Sequence, residues 1–319
     1  MLSRAQGCLL GQIAGDALGS QVEFCAPEEI RTRYPDGLRD LAPGGAWDTL
    51  AGQPTDDSEM ALALARAILD RGRYEPERAR QAYLDWLRSG PFDCGRTVYR
   101  GLTGDPDPRS QANGALMRIS PLGIFGAALP LEQVAAWAED DARLTHPHSV
   151  CVQANALYAM ALARAIRAGP TPTALYEDVC RWAEQRQVPH PLRRAILRAA
   201  EEPPDTCLAG KRGWVLIALQ NALFQLTHAP SLEDGVVDTV MRGGDTDTNG
   251  AICGALLGAV YGLPAVPQRW VQCILNCQPA VGRPEVRRPR PERYWPVRAP
   301  QLAEALLCAG AALAAQDKP

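Results

Sequence analysis

Glycine recurs at every fourth residue twice in this chain, at Gly7, Gly11, Gly15 and Gly19 and again at Gly250, Gly254, Gly258 and Gly262. At that spacing each set lies on one face of an α-helix, a face without Cβ atoms that lets a second helix come unusually close. Inside a helix glycine costs about 1 kcal/mol relative to alanine, so the two runs carry roughly 6–8 kcal/mol of local disadvantage. Close packing has to offset that cost. The expectation is that the two helices cross near the centre of the fold and bring Asp16 and Glu23 towards Asp245 and Asp247. Two small-residue faces packed separately against other helices are the plain alternative.

The rest of the chain keeps the helical period. Residues 58–71, 76–89, 131–140, 150–168, 173–186, 191–201, 213–226 and 300–315 are Ala/Leu-rich stretches bounded by Pro, Gly or Asp. No segment alternates β-branched and polar residues, and only 6% of residues are aromatic. The fold class expected is all-α, with about 10–14 helices. No linker divides the chain, so residues 1–319 are read as a single domain. Residues 250–267 carry no charge. Pro264 and Pro267 limit that helix to about 13 residues, near 20 Å, too short for about 30 Å of hydrocarbon, so it is read as a buried core helix. The Pro/Arg-rich stretch 279–299 is read as a non-helical surface strap before the last helix rather than a nucleic-acid arm.

A net charge of −3 argues against general nucleic-acid binding, which needs a basic face. The apolar run near Met1 is broken by Gln12 and Asp16 before it could act as a secretory core. The ten cysteines are scattered without a Cys-x-x-Cys pair, and Cys273 and Cys277 share one helix face. They are read as small buried hydrophobes of a reduced chain. The expectation is a cytoplasmic monomer without membrane contact.

Two acidic clusters carry the chemistry. Pro54-Thr55-Asp56-Asp57-Ser58-Glu59 and Gly243-Gly244-Asp245-Thr246-Asp247-Thr248-Asn249 each open a helix. Thr and Asp there are ordinary caps, and they complement the helix dipole. A cap, however, uses one or two oxygens, and each cluster offers more. If the clusters meet, carboxylates about 4 Å apart repel by roughly 4 kcal/mol per pair at an effective dielectric near 20. Protons or cations must then neutralise them. A donor set of carboxylates and hydroxyls, without Cys or His, favours Mg²⁺ or Mn²⁺ over Zn²⁺.

Taken with three further motifs, the chain resembles the ADP-ribosylglycohydrolase family over nearly its whole length. The ordered motifs are Gly15-Asp16-Ala17-Leu18-Gly19 with Glu23-Phe24, the Thr55-Asp56-Asp57-Ser58 turn, Asn113-Gly114-Ala115-Leu116-Met117-Arg118, Thr145-His146, and the Gly243 to Thr248 cluster. The resemblance implies a compact, mostly orthogonal helix bundle. It implies two Mg²⁺ (or Mn²⁺) ions held by Thr55, Asp56, Asp57, Asp245, Asp247 and Thr248. It places Asn113, Gly114, Ala115 and Met117 in a loop approaching a diphosphate, with His146, Trp214, Gly243 and Gly244 also on the ADP-ribose. His146 could otherwise be a core or capping residue, and Trp214 a core tryptophan. Glu23 matches a mobile metal-liganding glutamate of serine-specific relatives, and Asp93 matches an Asp-x-Gly segment of the arginine-specific branch. A turn residue is the plain reading of Asp93.

The activity implied is hydrolysis of the C1″ bond between ADP-ribose and a protein side chain, arginine by preference. The substrate is an ADP-ribosylated protein and the product ADP-ribose. Asp93 or a metal-bound carboxylate would take the proton from water, through an oxocarbenium-like transition state. Cleavage of serine-linked or other conjugates, and a non-catalytic J-crystallin-like role, are the alternatives.

Overall fold

The two glycine ladders face each other. In the computed structural model, which describes residues 1–316, the first ladder lies on α1 (Leu2–Gly19) and the second spans the helix Thr246–Tyr261 and its terminating Gly262. They run antiparallel, Gly7 against Gly258, Gly11 against Gly254, Gly15 against Gly250 and Gly19 against Thr246. The contact extends along the whole length of both helices and is not a crossing at one point. A Cβ at Gly7 would stand 2.5 Å from the Gly258 carbonyl oxygen, and one at Gly250 would stand 2.5 Å from that of Gly15. Backbone therefore touches backbone. The Thr246 hydroxyl donates to Gly19 O at 2.7 Å and closes the end of the seam where the acidic clusters lie.

Around this pair stand α2 (Pro27–Arg33), α3 (Asp56–Arg71), α4 (Pro76–Arg88), α5 (Arg96–Leu102), α6 (Ser120–Phe125), α7 (Leu131–Arg143) and α8 (Ser149–Ala168). The second half adds α9 (Pro172–Gln185), α10 (His190–Arg198), α11 (Val215–His228), α12 (Leu232–Met241), α13 (Thr246–Tyr261), α14 (Gln268–Asn276) and α15 (Ala299–Gln316). Among the described residues these fifteen helices are accompanied by two isolated β-bridges and no strand. The all-α expectation holds, with one helix more than its upper bound. The helices that periodicity did not reveal, α2, α5, α6, α12 and α14, have at most ten residues and offer too few turns for a pattern.

α1 packs against α15, α12, α14, α6, α8 and α3 as well as α13, and α13 packs also on α12, α11 and α8. The paired helices are thus the axis of the apolar core. α8 has the length and composition to cross a bilayer, yet 83% of its most apolar window is buried inside the protein. It is a core helix.

The cysteines are all free thiols, but only Cys8, Cys151, Cys253 and Cys277 are buried; five are half-buried and Cys308 is exposed. The expected burial holds for a minority, because the others sit in loops or on outer helix faces. The 279–299 strap forms two short 3₁₀ turns, Glu292–Tyr294 and Pro296–Arg298, and no α-helix. Its Arg290 is buried rather than superficial: Nη2 donates to Glu59 Oε2 at 2.7 Å and Nη1 to Ser89 O at 3.0 Å.

Candidate active site

The acidic clusters stand at the N-termini of α3 and α13, and neither helix consumes them as caps. Thr55 occupies the cap position of α3 without a capping hydrogen bond of its own. Asp16, from α1, does that work instead. Its carboxylate accepts from Thr55 N at 3.1 Å, Ser58 N at 3.1 Å and Thr55 Oγ1 at 3.0 Å. At α13 the Asp245 side chain makes no cap either; its Oδ2 accepts from Asn113 Nδ2 at 2.6 Å. Asp247 Oδ1 accepts from Thr248 N at 2.8 Å. The capping explanation is thereby removed for Asp56, Asp57 and Asp245, and Asp247 spends only Oδ1 on a first-turn N–H.

The seam between α1 and α13 brings the clusters together. Thr248 Oγ1 lies 3.4 Å from Asp57 Oδ2, and Thr55 Oγ1 lies 3.0 Å from the same oxygen. Glu23, Asp245 and Asp247 each offer a carboxylate oxygen within 4.8 Å of the others. They open onto a cleft of about 740 Å³ that Asp56, Asp93, Asn113, Gly114, Met117, His146, Trp214 and Thr248 also line. One wall is the 113–117 loop. Leu116 and Met117 donate to Asn113 O, while the N–H groups of Gly114 and Ala115 donate to no acceptor among the described residues. Asn113 N donates to Gly213 O and Val215 N to Gln111 O, which ties this loop to Trp214. Trp214 Nε1 donates to Gln111 Oε1 at 2.9 Å, and Lys211 Nζ lies 4.7 Å from its ring centre.

Seven carboxylates, of Asp16, Glu23, Asp56, Asp57, Asp93, Asp245 and Asp247, share this end of the molecule, and none forms an ion pair among the described residues. Burial and mutual repulsion push their protons on. Burial raises Glu23 to about 8, assisted by Asp245 and opposed by the hydrogen bond from Trp47. Burial, then Glu23, raises Asp93 to about 7. Burial raises Asp16 to about 6 against the hydrogen bonds it accepts from Thr55 and Ser58. Asp56, Asp57 and Asp247 are driven well above the carboxylate range, first by burial and then by neighbouring carboxylates, and Asp245 is raised by burial.

Such a cluster fits divalent cations. Asp57 Oδ1 is fully buried and receives no hydrogen bond among the described residues, and Ser58 Oγ beside it is equally unpartnered among them. Thr55 Oγ1 lies between Asp16 and Asp57 with one hydrogen to give, so it can serve only one of the two carboxylates. A buried, unpaired carboxylate oxygen is costly unless a proton or cation meets it. All the donors are oxygens, the preference of Mg²⁺ and Mn²⁺.

The sequence-derived residues are not all placed as expected. Glu23, Asp56, Asp93, Asn113, Gly114, Met117, His146, Trp214, Asp245, Asp247 and Thr248 line the cleft, and Thr55 and Asp57 lie buried beneath its floor. Ala115 does not face it, because its methyl packs with Ala142 and Val152. Gly243 and Gly244 do not face it either. Both have positive φ, 71° and 82°, and clamp the segment after Glu23: Phe24 N donates to Gly244 O at 2.8 Å and Gly244 N to Cys25 O at 3.1 Å. A Cβ on Gly243 would stand 2.6 Å from Cys25 O. These glycines shape the backbone that aims Glu23. His148 caps α8, its Nδ1 accepting from Val150 N.

Sequence reasoning missed Trp47, whose Nε1 donates to Glu23 Oε2 at 2.6 Å, since nothing local marks a loop tryptophan as the partner of a distant carboxylate. It also missed the capping by Asp16, although the residue stood inside a recognised motif.

A model of the ADP-ribosylglycohydrolase family matches residues 1–306. The ADP-ribosyl-dinitrogen reductase glycohydrolase of Rhodospirillum rubrum is 31% identical over 278 residues, 84% of this chain and 89% of that protein. The ADP-ribosylarginine hydrolase Tri1 of Pseudomonas putida (strain GB-1) is 28% identical, over 85% of this chain and 74% of its own length. The ADP-ribosylhydrolase ARH3 of Homo sapiens is 25% identical, over 85% of this chain and 89% of that one. A solved structure of an ADP-ribosylglycohydrolase-related protein complex matches with a TM-score of 0.78 at 30% identity, over 97% of this chain and 98% of that one.

Proposed function

The chain belongs to the ADP-ribosylglycohydrolase family of hydrolases, and from that premise we propose that it removes ADP-ribose from arginine side chains of modified proteins. The observation that carries the proposal is the cleft itself: an acidic floor without cationic partners, with Asp93 on its wall and the 113–117 loop opposite. Thr55, Asp56, Asp57, Asp245, Asp247 and Thr248 would hold two Mg²⁺ or Mn²⁺ ions, with Glu23 close enough to join Asp245 and Asp247. Bound there, the cations would supply positive charge that keeps the carboxylates ionised and polarises the oxygens they meet.

The chain's own residues supply the rest. The free N–H of Gly114, which lines the cleft, suits the approach of a phosphate oxygen. Asp93 suits the guanidinium of an arginine substrate through a charge-assisted hydrogen bond. Its proton affinity, raised to about 7, suits a base that works near neutrality. In the hydrolysis, the oxygen of water bonds to C1″ as the C1″–N bond breaks. The proton of that water passes to the Asp93 carboxylate, and the basic guanidine leaves with the electron pair and takes up a proton from solvent, to which Asp93 returns the one it received.

A second reading, release of serine-linked ADP-ribose, draws on Glu23, which Trp47 fixes beside Asp245 and Asp247. Arginine-linked and serine-linked ADP-ribosyl peptides, each incubated with and without divalent metal, separate the two. Faster metal-dependent release from the arginine peptide is expected; release from the serine peptide alone would overturn the arginine assignment.

A further inference from the structure

Behind the cleft wall a line of buried polar side chains ends at the cavity. Arg118 is fully buried. Its Nε donates to Asp141 Oδ1 at 2.9 Å, its Nη2 to Asp141 O at 2.9 Å and its Nη1 to Thr145 Oγ1 at 3.0 Å. Tyr83 donates its hydroxyl to Asp141 Oδ2 at 2.8 Å, and its ring centre lies 4.3 Å from the Arg118 guanidinium carbon. Thr145 Oγ1 stands 2.7 Å from His146 Nδ1. At the far side of the imidazole, Nε2 is buried and meets no partner among the described residues. His146 lines the cleft, and its Nε2 lies against Gly114, where an added Cβ would stand 3.3 Å from it.

The direction of these bonds follows from donor counting. A guanidinium has only N–H groups, so Thr145 Oγ1 must accept from Arg118. Its own single hydrogen then needs an acceptor, and the one within reach is His146 Nδ1. In a neutral imidazole one nitrogen accepts and the other donates. Burial, helped by the Arg118 charge, pushes the His146 pKa down to about 3, so the ring is neutral. Thr145 is itself held from behind, because the α5 backbone at Gly101 closes on it: a Cβ there would meet Thr145 Cα at 2.5 Å.

We infer that the Arg118–Asp141 pair, acting through Thr145, fixes His146 as the Nε2–H tautomer and so builds a permanent hydrogen-bond donor into the cleft wall beside Gly114. Arg118, Asp141 and Thr145 are positioning residues. The donor selects a ligand with an acceptor oxygen at that point, and a ligand presenting an N–H there would leave two donors face to face. That the oxygen belongs to ADP-ribose rests on the reading of the cleft proposed above; the tautomer does not.

The test is ¹⁵N-detected NMR of the histidine rings in the full chain, which has four, with the His146 signals identified by their loss in His146→Phe. Wild-type protein should show a pyrrole-type Nε2 and a pyridine-type Nδ1. Thr145→Val, which keeps the shape and removes the hydroxyl, should give a mixture of tautomers, and Thr145→Ser should restore one. ADP-ribose binding, by calorimetry, should weaken roughly tenfold in Thr145→Val, the size of one lost hydrogen bond, and stay within about twofold in Thr145→Ser. A pyrrole-type Nδ1 in the wild type, or an unchanged tautomer in Thr145→Val, overturns the inference. A tautomer shift without any change in affinity overturns the donor's part in ligand selection. Wild-type protein that shows the Nε2–H tautomer but binds no ADP-ribose sinks the functional reading and leaves the tautomer assignment in place.

Discussion

Asp16 caps α3 from another helix, and that exchange frees Asp56 for the cleft and Asp57 for the buried layer beneath its floor. The arrangement separates the two roles a carboxylate can have at a helix end. Asp247→Asn removes a charge from the floor, while the cap position of α13 remains Asp245. Its turnover should fall by orders of magnitude, with metal affinity measured by calorimetry falling alongside and helical circular dichroism unchanged. Near-normal turnover would make Asp247 a structural residue. Asp93→Ala should lower kcat on an arginine-linked peptide by about 10²–10⁴-fold, the usual weight of a general base, and leave ADP-ribose binding within a few-fold. Glu23→Ala should affect serine-linked substrate more. At this scale the sequence displayed which carboxylates would gather at one end of the molecule, since their types and spacing are local. It could not display that Asp16 and Trp47 serve them, because a hydrogen bond across 39 or 24 positions leaves no local trace. For the same reason Ala115, Gly243 and Gly244 looked like ligand contacts, although their side of the backbone faces the protein.

Between elements, the glycine seam and the strap are held by opposite means. The seam depends on the absence of side chains, so Gly254→Leu drives a side chain into the backbone of α1 at Gly11. Overpacking of this kind costs at least about 1–3 kcal/mol, and here the obstacle is a carbonyl that cannot rotate away. A melting temperature equal to wild type would show the seam to be loose. The strap depends on one charge. Arg290 reaches Glu59 while Trp86 Nε1 donates to Glu59 Oε2 at 2.8 Å and Trp295 Nε1 donates to Arg290 O at 2.7 Å. Arg290→Met leaves Glu59 buried and unpaired, at about 3–5 kcal/mol by denaturant unfolding, and Glu59→Met in addition should recover most of it. An equal loss in the double variant would mean that packing, not charge, holds the strap. The pairing of the glycine helices was readable from period alone. The buried Arg290 was not, because a Pro/Arg-rich sequence has the composition of a surface, and only tertiary context takes one of its arginines inside.

The whole molecule carries an acidic load that its helices alone do not neutralise. A carboxyl whose proton affinity is higher in the folded state than near 4, its unfolded range, stabilises the fold fully at low pH and loses that contribution as pH rises through its folded value. For Glu23 and Asp93 those values are about 8 and about 7. His146, kept neutral by burial, acts in the opposite sense below its ordinary value near 6.5. Metal-free protein should therefore lose thermal stability between about pH 6.5 and 8, and the rise in Tm given by Mg²⁺ or Mn²⁺ should grow over the same interval. A chelator should abolish turnover, either cation should restore it and Zn²⁺ should not; full turnover in excess chelator sinks the metal assignment. The architecture has a further consequence in the order of synthesis. Gly7 finds its partner in Gly258, at the other end of the chain. At about 5–20 residues per second, a ribosome leaves α1 without its neighbour for on the order of ten seconds or more. Throughout that time its bare glycine face has no native partner, although α3, α6 and α8 can already cover parts of its flanks. The core of this enzyme can close only after translation has passed Gly262, so a nascent chain stopped before Thr246 should remain a client of chaperones however many of its other helices have formed.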